Sequence, residues 1–93
     1  MNIFSKLHVY ITKWSVKETR NFTAEEISQI SQAVVVQSQY GNSVQFTMVS
    51  GGLTYIPLDP NSNCAVGEVI DLTKAKLTTL EKSGEADIYR VTI

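Results

Sequence analysis

The chain has 93 residues, 43% hydrophobic and 18% charged, and its eight basic against nine acidic side chains leave a net charge of -1. That length holds one domain around one modest core, so residues 1–93 are read as a single domain, and multidomain enzymes, disordered tails and membrane spans are excluded. A field so close to neutral does not draw a protein onto nucleic acid or anionic lipid, so any such binding has to be local.

Residues 7 to 12 alternate, with Leu7, Val9 and Ile11 on one face, the pattern of a half-buried strand that Trp14 and Val16 extend. The character changes at Asn21. Thr23 is placed to cap a helix, Glu26 three residues on can reach back to the cap amide, and Phe22 ahead of the cap can pack on Ile27 as a hydrophobic staple. The predicted helix is short, near residues 24–32, with Ile27 and Ile30 inward, because Val34, Val35 and Val36 then impose strand preference.

From Ala33 the pattern is almost all strand. Val34 to Tyr40 and Ser43 to Val49 flank Gly41 and Asn42, a dipeptide suited to a tight hairpin, and Ser50, Gly51 and Gly52 turn the chain into a third strand from Leu53 to Leu58. Pro57 cannot donate to a central ladder, which puts its end of that strand at an edge or a bulge. After a polar loop from Asp59 to Val66, residues 68 to 72 alternate again, whereas residues 72–81 fit a strand and a short helix equally. A turn at Glu81 to Glu85 leads into Ala86 to Ile93, where Ile88 and Val91 do not share a face, implying a bulge or two buried faces. The expected class is mainly β (β-rich α+β): a small barrel, or a curled five- to six-stranded antiparallel sheet, with one short capped helix near residues 24–32.

Chemistry is sparse. Cys64 and His8 are each the only residue of their kind, which removes an intrachain disulfide and the common zinc sets, and both read as packing or surface residues. The tripeptide Asn21-Phe22-Thr23 has no secretion signal ahead of it and reads as helix punctuation. Glu25 with Glu26 suits a first helical turn, Glu85 with Asp87 flanks a turn, and no phosphate loop, nucleophile elbow or metalloprotease motif is present, so no catalytic site, cofactor or metal is expected. Without a leader pattern or an apolar run of about 18 residues, the expected location is soluble and cytoplasmic, with no membrane partner.

Charge is more informative. No Lys or Arg occurs between Asn21 and Thr73; the first twenty residues carry +3, residues 21 to 73 carry -5 and the last twenty +1. If the two ends of the chain meet in space, Lys13, Lys17, Arg20, Lys74 and Lys76 form a basic face, and Trp14, Tyr40 and Tyr55 are the aromatic side chains best placed for exposure.

The run from Ala33 to Met48, with Tyr40-Gly41 at its turn, then a glycine turn and Thr54, Tyr55, Ile56, resembles the opening meander of small oligonucleotide-binding (OB) folds, as found in phage- and plasmid-type single-stranded DNA-binding proteins. Val66, Gly67, Glu68, Val69 resembles the entry to a later strand of that barrel. The likeness implies a small OB-like barrel with Tyr40 and Tyr55 near the binding surface. It departs in two respects: the matched meander carries no Lys or Arg, and the predicted helix precedes it.

Two functions follow as expectations. The first is non-catalytic binding of single-stranded nucleic acid, with Lys13, Lys17, Arg20, Lys74 and Lys76 on phosphates, Trp14, Tyr40 and Tyr55 stacking on bases, and steep salt dependence. The second is an assembly or regulatory module of phage or bacterial type that binds a protein partner or itself, by pairing exposed strand edges or through faces of opposite charge.

Overall fold

The computed structural model describes residues 15–39, 41–81 and 87–93. Among these described residues six strands and one helix follow in order: β1 (Ser15–Asn21), α1 (Ala24–Ser28), β2 (Ile30–Ser38), β3 (Gly41–Met48), β4 (Leu53–Pro57), β5 (Lys76–Glu81) and β6 (Ile88–Thr92). The class is mainly β with one short capped helix, as expected. The arrangement differs from one curled sheet or a barrel: there are two antiparallel three-stranded sheets, β1-β5-β6 and β2-β3-β4. They meet at one parallel bridge, Leu58 to Val91, where the Asp59 N–H donates to the Val91 carbonyl at 2.8 Å.

No barrel closes among the described residues: with the sheets joined at β4 and β6 their outer edges are those of β1 and β2, and no pairing joins these two. β5 pairs with β1. The outer edge of β2 is taken by residues 67–70: the Val35 N–H donates to the Glu68 carbonyl at 2.9 Å, Gly67 to Val35 at 2.7 Å and Ile70 to Ala33 at 2.8 Å. The strand expected over residues 68–72 is therefore reduced to a short extended run with one bridge, Val34 to Val69.

The helix starts as its sequence requires. Thr23 Oγ1 accepts from the Glu26 N–H at 3.1 Å, and Glu26 Oε1 accepts from the Thr23 N–H at 2.8 Å, completing the capping box. It stops at Ser28 and not near residue 32, because Ile30 already enters the β2 ladder opposite Met48. The β2–β3 turn also lies earlier than Gly41-Asn42: Ser38 pairs with Gly41 and Gln37 with Asn42, so Gly41, at φ +116°, opens the strand. In residues 72–81 the open choice is settled in two parts. Asp71 Oδ1 accepts from the Thr73 N–H at 3.0 Å and the Thr73 hydroxyl at 2.6 Å, closing a turn, and β5 then begins at Lys76. β6 pairs with β5 without a register shift, so the bulge expected there is absent; the shifts fall in β1 at Lys17 and in β2 at Ser31. Only one face of β6 enters the core, through Val91, while Ile88 stays exposed.

The core lies between the sheets. Phe46, Val35, Val44 and Val91 are fully buried, and Phe22, delivered by the residue ahead of the helix cap, packs on Phe46 with ring centroids 6.0 Å apart. Burial of a side chain of this size contributes roughly 1.5–3 kcal/mol, and a tilted aromatic pair adds roughly 0.5–1.5 kcal/mol. The loop to β5 supplies Ile70, Leu72 and Ala75 to the same cluster, and Cys64 packs against it half-buried. The predicted strand at residues 7–12, with His8, lies outside the described residues.

Candidate nucleic-acid interface

Strand alternation divides the described basic side chains between two surfaces. Arg20 stands opposite Leu77, whose side chain is in the core, and so points to the inner side of the β1-β5-β6 sheet. There it grips Glu26 with both ends of its guanidinium, at 2.8 and 2.9 Å, and lies 3.6 Å from Glu18. The Arg20 guanidinium and the Thr23 N–H together hold the Glu26 carboxyl down to about 2. Lys17, the extra residue at the β1 bulge, reaches Asp87 at 3.2 Å and Glu81 at 3.9 Å, and the Asp87 hydrogen bond is the main reason its pKa is raised. Two of the five lysine and arginine positions expected to contact phosphate are thus neutralised by carboxylates.

The remaining cations are differently placed. Lys74 and Lys76 are exposed on either side of buried Ala75, and neither makes an ion pair among the described residues. Lys76 pairs with Thr92 and Thr78 with Arg90, which makes Lys76 and half-buried Arg90 diagonal neighbours, roughly 7–8 Å apart by sheet geometry, on the face away from Leu77 and Val91, a face that also holds the buried Thr78 and Leu80. Arg90 also has no carboxylate partner among the described residues. Since Leu58 and Val91 form the bridge between the sheets, the residues before them, Pro57 and Arg90, stand side by side on the outer surface. Tyr55, two residues back from Pro57, shares that face opposite Gln45 and is 56% exposed. Lys13, Trp14 and Tyr40 lie outside the described residues.

A groove of about 590 Å3 opens where the sheets meet, with Arg90 on one wall, Ser38, Asn42 and Ser43 on the other, and Pro57 and Asp59 between them. Its floor is ordered by the Asp59-Pro60-Asn61-Ser62 turn, in which the Ser62 N–H donates to the Asp59 carbonyl at 2.9 Å and Asp59 Oδ1 accepts from the Asn61 N–H at 2.9 Å. The groove offers one guanidinium, the Asp59 carboxylate, several neutral hydrogen-bonding groups and the apolar surfaces of Pro57, Leu58 and Pro60. Arg90 was missed as a site residue, although alternation puts it on the face opposite Val91. A second sequence signal is the complete absence of charge from Ile27 to Leu58, which makes β2, β3 and β4 a neutral platform beside that cation.

Other chemistry has local explanations. Burial pushes the Cys64 thiol up and the Glu68 carboxylate adds to this, which disfavours the reactive thiolate. Among the described residues no three His, Cys, Asp or Glu side chains converge to hold a metal, and no helix is long and apolar enough to cross a membrane. No protein-family model, curated protein sequence or solved structure matches the chain.

Proposed function

We propose that the protein binds single-stranded nucleic acid, without catalysis, on the outer surface shared by β4, β5 and β6. The observation that carries this reading is the placement of Arg90 and Lys76, both without acidic partners among the described residues, on the same face as exposed Tyr55. Tyr55 supplies a stacking surface, Arg90 and Lys76 supply phosphate contacts, and Lys74 extends the basic strip. The OB-like character belongs to this proposal. A three-stranded meander followed by the β5–β6 hairpin around one core supports it, and the groove adjoins the first turn and the second and third strands of that meander, where OB folds bind oligonucleotides.

The test is titration of a fluorescent mixed-sequence single-stranded oligonucleotide. Tyr55→Ala is expected to weaken binding by about fivefold or more, the loss of one stacked base. Arg90→Ala and Lys76→Ala are each expected to reduce the slope of log K against log salt by about 0.7. Equal affinity in all three variants would defeat the proposal. The alternative reading, a protein-interaction module, draws on the uncharged stretch from Ile27 to Leu58.

A further inference from the structure

Strand edges in this fold are not equally protected. The β1 edge carries a bulge and the charges of Lys17, Glu18 and Arg20, both of which oppose pairing with another chain. The β2 edge is occupied by residues 67–70. The β4 edge has neither defence. The Met48 N–H donates to Gly52 and the Leu58 N–H to Asn42, so even-numbered residues of this strand face β3. The N–H and C=O of Leu53 and Tyr55 therefore point away from the sheet. Both residues are exposed, at 54% and 56%, and no charge lies within the whole run from Ile27 to Leu58. The window is bounded on both sides: β6 sits beside the strand from Leu58 onward, and Gly51, at φ +100°, turns the chain away at the other end.

We infer that β4 pairs antiparallel with β4 of a second copy of this chain about a two-fold axis at Thr54. In that register each Leu53 N–H donates to the partner's Tyr55 carbonyl and each Tyr55 N–H to the partner's Leu53 carbonyl, which uses every outward donor in the window. Leu53 packs beside the partner's Tyr55 on the outer face, and no like charges are brought together. Next to Pro57 and β6 comes the partner's Gly51. Gly51 and Gly52 carry no side chain, so the partner's turn brings none against β6. The result is one neutral sheet with β2, β3 and β4 of both copies and an Arg90 groove toward each end. The inference does not rest on nucleic-acid binding, although Tyr55 belongs to both surfaces.

Sedimentation of the full chain from micromolar to millimolar concentration, without nucleic acid, tests it. A monomer–dimer equilibrium is expected, with amide exchange at Leu53 and Tyr55 slowing as concentration rises. Leu53→Lys puts like charges near the axis and should weaken association by roughly tenfold or more. Tyr55→Pro removes the outward donor and the ring that packs beside the partner's Leu53 while leaving every hydrogen bond to β3, in a strand that already accepts Pro57, and should weaken it similarly while the strand signal in circular dichroism stays unchanged. A monomer at every concentration, a dimer in which Leu53 and Tyr55 exchange is unaffected, or a dimer undiminished by Leu53→Lys would overturn the inference.

Discussion

The Glu26 carboxylate accepts three hydrogen bonds from two residues: one from the Thr23 N–H, closing the capping box, and one from each arm of Arg20, which ties β1 to α1. Its carboxyl is held at about 2, below its ordinary 4.5, so the stabilisation is complete above pH 4.5 and disappears as pH falls toward 2. With the side chain 36% exposed, solvent screening reduces this to on the order of 1 kcal/mol. Urea unfolding at pH 7 and pH 3 should show Glu26→Gln costing more at the higher pH, and a cost that does not change with pH would contradict this role. Thr23→Ala should lose about 1 kcal/mol at both pH values. Phe46→Ala should lose roughly 3–5 kcal/mol, much of the stability of a domain this small, read from the same melts. These residues were legible in the sequence because capping and burial depend on near neighbours and on alternation. Arg90 was less so: alternation puts it on the face opposite Val91 without deciding which face is outer, and the neutralisation of Lys17 and Arg20 and the position of Pro57 beside it depend on long-range pairing.

At the scale of elements, the central meander and the helix start could be read directly, since glycine turns, the capping box and period-two alternation are local signals. The end of the helix could not, because Ile30 has a helical spacing from Ile27 and is claimed instead by pairing with Met48. Residues 68–72 read as a fuller strand than they form, and residues 72–81 fit strand and helix equally, for a related reason. Their alternation is genuine, but the first segment covers the edge of β2 and the second divides at the Asp71 turn, outcomes decided by which edge is available. Hydrogen exchange in dilute protein reports on these edges. The Gly67, Val35 and Ile70 amides, bonded across the β2 edge, should exchange much more slowly than those of Leu53 and Tyr55, which point outward. Comparable rates would mean that residues 67–70 do not hold that edge.

Over the whole molecule, a net charge of -1 conceals a sorted surface. Among the described residues two cations are paired with carboxylates around β1, the β2-β3-β4 sheet carries no charge, and Lys74, Lys76 and Arg90 are left without ion pairs. With about three phosphates engaged, the expected salt slope for a single strand is only about -2, gentler than the full basic set would give. The deciding measurement is the anisotropy of a fluorescent single-stranded oligonucleotide, followed at low and moderate salt together with Trp14 emission. The account predicts micromolar or tighter binding at low salt that weakens by roughly tenfold between about 50 and 200 mM salt. No binding at low salt would contradict it.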